Sequence, residues 1–372
     1  MLYAIKRSLY SIAKSRKAYW IILVIILVIS FSLRYALIHS PQYVDEQAYV
    51  RLTQYLTDGH LASQTSLWDV YNFHNSTIGW DGNIAIVEPW FDHPPLFSLM
   101  NIPFFLLGSP RLLPILLGAL STFLVMYLLR SRPMESILAG FIFAIFPFAV
   151  QLNAMVFIDN GSSFFFLLTL AFTSAFVQKK QERLLAFASV SAGLAFLSKE
   201  IGIYAILFLL LFLLFTREPK KHYRWLVLAI VIASSWFVFG LILNKGLFVD
   251  VISAQSIRMN AGGQYNYQYL LNTSVSNFSI EFNSFIGAGI SAILLLAWIC
   301  VGTFIFSNRD KLIKLGLASF VATLVVIRFG WYYTWIAMYP FFAIAITYTL
   351  LEIARFLLHA KKSKASVQTI NA

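Results

Sequence analysis

Residues 184–215 read LLAFASVSAGLAFLSKEIGIYAILFLLLFLLF, and the fold turns on whether Ser198-Lys199-Glu200 interrupts one helix or joins two. As one helix at 1.5 Å per residue the run would reach roughly 48 Å, well past the ~30 Å hydrocarbon core of a bilayer. Divided at the charged pair, it gives spans at 184–198 and 201–216 with Lys199 and Glu200 between them, at the membrane surface. The pair then never has to enter lipid.

Outward from that stretch, apolar runs long enough to span lie at about 19–38, 111–129, 136–157, 160–177, 225–243, 284–306, 313–328 and 333–356, which with the divided run makes about ten. The first follows Lys6, Arg7, Lys14, Arg16 and Lys17 and ends without a small-residue cleavage signal, so it reads as a retained anchor. Residues 94–108 are apolar but short and rich in proline, as expected of an interfacial or re-entrant segment. Charge tests these choices. With the N-terminus cytoplasmic, only Arg34, Arg51, Arg111, Lys199, Lys245, Arg258 and Arg328 of the 28 bases fall outside or at the outer edge. Merging 184–215, or making 94–108 a span, flips every later loop and breaks that bias.

Composition agrees: 59% of residues are hydrophobic and 12% charged, about half the usual charged share of a soluble domain. A soluble globular protein and a disordered chain are excluded, and so is a disulfide scaffold, because Cys300 is the lone cysteine. The net charge of +12 is a topology signal with anionic membrane lipids as its partner, and no nucleic acid is expected. The expected fold is an all-α polytopic membrane protein. Its parts are a basic cytoplasmic N-terminus (1–18), a catalytic transmembrane module (19–243) with a long outer loop at 39–110, a second outer loop (244–283), C-terminal transmembrane helices (284–356) and a basic cytoplasmic tail (357–372).

Ionisable residues gather where helices meet the outer surface: Asp45, Glu46, Asp92, His93, Asp159, Lys199, Glu200 and Arg328. Charges at one membrane depth make a candidate site. Asp45 in Tyr43-Val44-Asp45-Glu46 stands at the edge of the first span, where partial desolvation suits a general base, although two acids capping a loop helix would look the same. Asp92-His93-Pro94-Pro95 holds an acid and an imidazole in a pose fixed by two prolines, and a plain turn is its simpler reading. Asp159-Asn160 fills a short outer turn that an N-cap also explains. Lys199 suits a lipid phosphate, with a mutual pair to Glu200 as the plain alternative. Arg258, and Arg328 beside Trp331-Tyr332-Tyr333, suit further phosphate contacts. A divalent ion held by Asp45 and Asp159 is compatible with carboxylate chemistry, whereas His39, His60 and His74 lack zinc-site spacing.

VDEQAY after the first span, DHPPL before the second, Asp159 between the third and fourth and SKE between the fifth and sixth resemble the GT-C superfamily of membrane glycosyltransferases. The chain is most similar to its polyprenyl-phosphate-sugar branch, which includes protein O-mannosyltransferases and lipid A aminoarabinose transferases, over residues 19–345. The resemblance implies that Asp45 activates an acceptor hydroxyl in an inverting displacement, that Glu46 supports it, and that Asp159 shapes the site or binds metal. It places His93 and Lys199 near the leaving donor phosphate and Arg258 and Tyr265 over the lipid head; Arg328 is expected to add a phosphate contact, and Asp92, Glu200, Tyr332 and Tyr333 to complete the substrate pocket. The 244–283 loop resembles a donor-covering loop. His93 departs from the pattern, since many relatives carry lysine before the two prolines. The implied partners are a polyprenyl-phosphate sugar donor and a lipid-linked, glycan or protein acceptor. The implied location is a prokaryotic plasma membrane with both termini cytoplasmic and the site outside. A secondary transporter is the main alternative, but those folds favour repeated halves and midplane charges; a lipid flippase would use the same outer groove.

Overall fold

The computed structural model describes residues 15–42, 44–59, 93–261, 284–307, 310–327 and 332–370. Among them every regular element is helical. Lipid demands this, because a helix satisfies its backbone polar groups within its own segment. Helix α1 (Arg16–Tyr35) starts at Ser15, whose hydroxyl accepts the Ala18 amide as an N-cap. It turns Ile21, Val24, Ile25 and Val28 outward and buries Leu23, Ile26, Ser30 and Arg34. The bare aliphatic face suits acyl chains.

Helices α2 (Val44–Thr57) and α3 (Leu96–Leu106) pack on each other at one end of the bundle. Helix α3 carries Pro103 and has 11 residues, about 16 Å of rise, too short to span. Helix α4 (Leu112–Leu128) packs against α1. The single span expected over 136–157 is divided into α5 (Pro133–Ile145) and α6 (Pro147–Leu152) by Phe146, whose backbone is extended at φ −63° and ψ 117°. Pro147 is the cause: it crowds the residue before it out of the helical region and sits well at the first position of a new helix.

Helix α7 (Asp159–Lys179) is central, packed against α4, against α8 (Glu182–Ser198) and against the 3-10 turn Tyr332–Met338. Its apolar window is 78% buried where that of α1 is 22% buried. Between α8 and α9 (Ile203–Phe215) the chain breaks where the charged pair stands: Lys199 is extended (φ −163°, ψ 141°) and a 3-10 turn follows at Glu200–Gly202. The turn is tight, since a Cβ on Gly202 would lie 2.2 Å from the Ala195 carbonyl.

Helix α10 (Tyr223–Ala261) bends at Asn244 (φ −156°, ψ 88°). There the Asn244 carboxamide accepts the Leu247 amide at 3.2 Å, and Phe248 packs back edge-on against Trp236. The first part of the 244–283 loop is therefore helix, and its remainder lies outside the described residues. Helices α11 (Ser284–Phe306), α12 (Lys311–Ile327) and α13 (Tyr339–Ile370) complete the bundle, α13 packing on α11 and α5, and α12 on α9. Among the described residues, four helical segments are long and apolar enough to cross a membrane on length and composition alone. Helix association in lipid draws on close packing rather than on water exclusion, and α8 presents Ala188, Ala192, Gly193 and Ala195 to its neighbours.

Candidate active site

The extended backbone of Lys199 at the α8–α9 break sends Lys199 and Glu200 to different partners. Lys199 Nζ donates to both carboxylate oxygens of Asp159, at 3.0 and 2.8 Å, with both residues almost wholly buried. Glu200 instead meets His93 Nδ1 at 2.9 Å, and its side chain is 46% exposed. The mutual Lys199–Glu200 pair is replaced by two pairs that tie the break to the start of α7 and to the turn before α3. Burial makes the two unequal. The Asp159–Lys199 pair is sealed, and the His93–Glu200 pair forms a rim.

Behind the rim, Arg111 at the start of α4 grips Glu46 through Nε (2.7 Å) and Nη2 (2.6 Å), with both side chains buried. The same guanidinium donates to the carbonyls of Leu37, Ser40 and Pro41 at 2.8, 2.8 and 3.1 Å. These carbonyls leave the end of α1, where intrahelical donors run out. Glu46 also accepts the Val156 amide at 3.0 Å. One two-pronged, charge-assisted contact thus binds the exit of α1, the first turn of α2, the start of α4 and the turn leading into Asp159.

A second tether runs beside it. Arg34, fully buried, donates to Ser30, to the Ala144 carbonyl and to Asn153 Oδ1, the last at 3.3 Å. Asn153 passes a 2.6 Å hydrogen bond to Asn160, which in turn donates to the carbonyls of Leu152 and Met155. A Cβ on Gly118 would sit 2.6 Å from Arg34 Nε, so the glycine gives the guanidinium its passage. Asn160 therefore closes the turn and Asp159 opens α7. Tyr204 and Ser162 share a 2.7 Å hydrogen bond one turn deeper.

Of the residues singled out from the sequence, Glu46, His93, Asp159, Lys199 and Glu200 come together at one end of the bundle. Asp45 sits in the first turn of α2, Arg258 in the last part of α10, and Tyr332 and Tyr333 open the 3-10 turn; their side chains lie outside those described, as do Asp92, Tyr265 and Arg328 altogether. Arg34, Arg111, Asn153 and Tyr204 were not anticipated. The two arginines carry a sequence signal, a lone base beside a membrane span, which is costly unless partnered. The described residues do not fit a divalent ion at Asp159: an ammonium already occupies both carboxylate oxygens, and among them no group of three or more His, Cys, Asp or Glu side chains is placed to hold a metal.

Residues 92–239 match the family described as dolichyl-phosphate-mannose-protein mannosyltransferase, a stretch that runs from the rim turn through Asp159 and Lys199. No curated protein matches the sequence. Among solved structures, the archaeal oligosaccharyltransferase AglB from Archaeoglobus fulgidus, in complex with an inhibitory peptide and a dolichol-phosphate, is 14% identical with a TM-score of 0.53, over 92% of this chain and 52% of that one. The Archaeoglobus fulgidus oligosaccharyltransferase in complex with Zn and sulfate is 15% identical with a TM-score of 0.51, over 91% and 51%. ArnT from Cupriavidus metallidurans in the apo state is 18% identical with a TM-score of 0.49, over 89% and 59%. The chain spans about half the length of the archaeal proteins. Fold and family match point the same way: residues 92–239 are similar to a mannosyltransferase family, and the helical bundle shares its fold with the archaeal oligosaccharyltransferases.

Proposed function

We propose that the protein transfers a sugar from a polyprenyl-phosphate donor to an acceptor hydroxyl at the outer face of the membrane, with inversion. The observation that carries this reading is the convergence of Glu46, His93, Arg111, Asp159, Lys199 and Glu200, from segments far apart in the chain, on one end of the bundle. On this reading a lipid-anchored phosphate reaches that end of the bundle, and the fold is shared with a protein captured with a dolichol-phosphate. The charge bias of the loops supports the outer side.

In this reaction Asp45 takes the acceptor proton as the new glycosidic bond forms, and the sugar–phosphate bond breaks on the opposite face. The leaving phosphate gains charge, so cations fixed in advance stabilise the transition state more than the ground state. His93 at the rim and Arg258 on α10 are assigned that contact. Lys199 supplies the counter-charge that lets Asp159 remain a carboxylate beside the reacting groups. The Glu46–Arg111 contact holds the first turn of α2, and with it Asp45, against the turn that carries Asp159, which is the orientation the displacement needs. The acceptor is a lipid-linked, glycan or protein hydroxyl.

The test is Asp45→Asn in purified protein supplied with a polyprenyl-phosphate sugar. Transfer is expected to vanish while donor binding and the thermal melt stay as in the wild type. Undiminished transfer by that variant removes the base, and no sugar release by the wild type from any such donor returns the transporter or flippase reading.

A further inference from the structure

Helix α3 shows leucine to the outside and keeps polar side chains within. Leu99 and Leu106 are exposed, while Ser98 and Asn101 are 1% and 0% exposed. Neither inward side chain finds a partner: Asn101 Oδ1, Asn101 Nδ2 and Ser98 Oγ are all buried and make no hydrogen bond. A carboxamide and a hydroxyl both donate and accept, and leaving such groups buried and unmatched is costly. The place where this cost is carried is the candidate site. A Cβ on Gly161, two residues after Asp159, would lie 2.9 Å from the Phe97 ring and 2.9 Å from Ser198 Oγ, so the residue before Ser98 is pressed between the start of α7 and the α8–α9 break. On the α2 side, the Tyr49 ring lies 6.1 Å from His93, centroid to centroid, and Glu46 holds Arg111. Ser98 and Asn101 fall on the stretch of chain between those two tie points.

We infer that Ser98 and Asn101 are specificity-determining residues that read the hydroxyls of the sugar carried by the donor. The inference rests on the donor reading above and deepens it. A polyprenyl-phosphate sugar has three parts. The chain offers nothing to a carboxamide, and the phosphate calls for cations, which these two neutral side chains do not supply. The sugar has hydroxyls that donate and accept, as Asn101 and Ser98 do. The unmatched atoms are sealed from solvent, so the sugar parts α3 from its neighbours as it enters. Gly108, left-handed at φ +70° with open space around it, is the joint beyond the far end of α3.

The experiment titrates the full-length protein in lipid nanodiscs with polyprenyl monophosphate and with polyprenyl-phosphate mannose, glucose and aminoarabinose. At least one sugar donor is expected to bind the wild type more tightly than the monophosphate does. In Asn101→Leu that donor should lose about tenfold in affinity, the worth of a hydrogen bond or two, while the monophosphate changes by less than about twofold. The ligand-free melt of Asn101→Leu should not fall, because the variant removes unmatched polar atoms. Ser98→Ala should shift the same comparison in the same direction by about threefold, and it carries the test alone if Asn101→Leu does not fold. Equal weakening of monophosphate and sugar donor, or wild-type affinity for every sugar donor in both variants, overturns the inference and leaves the donor reading intact. So does a wild type that binds the monophosphate as tightly as every sugar donor. A defect confined to free methyl glycosides moves the contact to the acceptor and overturns the donor assignment. Absence of wild-type binding to all four lipids overturns both readings.

Discussion

The two ends of this bundle solve the same problem, where to put charge beside a membrane, in opposite ways. At the end that holds Asp159 and Lys199, two pairs behind the His93–Glu200 rim are buried and join segments far apart in sequence: Glu46 to Arg111 and Asp159 to Lys199. At the other end of α7 and α8, Glu182 lies among Lys221, Arg224 and His222, with Lys221 and Arg224 side chains 63% and 57% exposed. Arg132, Asp310, Glu135 and Arg355 form a second, partly exposed group there. Exposed pairs contribute little and are screened by salt. Buried ones are costly to break because the surviving partner is stranded. Under the proposed function, charges at the exposed end orient the chain in its membrane, and charges at the buried end fix one arrangement of side chains, as the proposed transfer requires.

The largest effect expected from this contrast is Arg111→Met. It strands the Glu46 carboxylate and releases the carbonyls that leave α1, and loss of one partner from a buried pair costs about 3–5 kcal/mol. Proteolysis of the protein in detergent, read as the denaturant concentration at half digestion, measures it. Arg111→Met with Glu46→Leu should recover most of the stability while transfer stays low, since Asp45 has lost its anchor. A melt of Arg111→Met that matches the wild type would erase the distinction between the ends. Next comes Lys199→Ala, which leaves Asp159 buried without its cation. The carboxyl then takes up a proton rather than stay charged, at a cost of about 1–3 kcal/mol for the unpaired group. Affinity for a polyprenyl monophosphate should fall roughly tenfold, or about 1.4 kcal/mol. Unchanged affinity in a folded variant would detach Lys199 from the donor site.

The same contrast explains how far the sequence could be read. The break at Ser198-Lys199-Glu200 was legible because bilayer thickness limits helix length, and the convergence of acids and bases on one end followed from counting loops. Partners were not legible: His93 and Glu200 are 107 residues apart, and Lys199 beside Glu200 looks like a local pair until the extended backbone of Lys199 turns the two side chains apart. Arg34 and Arg111 were placed as edge charges, because an arginine that caps buried carbonyls and one that reaches into water have the same spacing along the chain. Pro147 did carry a signal that 136–157 is not one helix, but hydropathy alone runs straight through it.

The smallest effect belongs to Glu182. Its hydrogen bond from Lys221, with Arg224 and His222 nearby, holds its carboxyl below the usual carboxylate range. A lowered folded-state pKa contributes stability that is present above the unfolded value and lost as pH falls through the folded one. Glu182→Gln should therefore melt slightly below the wild type at pH 7, converge with it in acid, and converge with it again at 1 M salt, where the screening length is about 3 Å. Transfer and donor binding should not change, because the residue lies at the far end of α8 from Lys199. A Glu182→Gln deficit as large as that of Arg111→Met, or one indifferent to salt, would mean that both ends are built alike and that burial is not what separates the site from the rest of the charged surface.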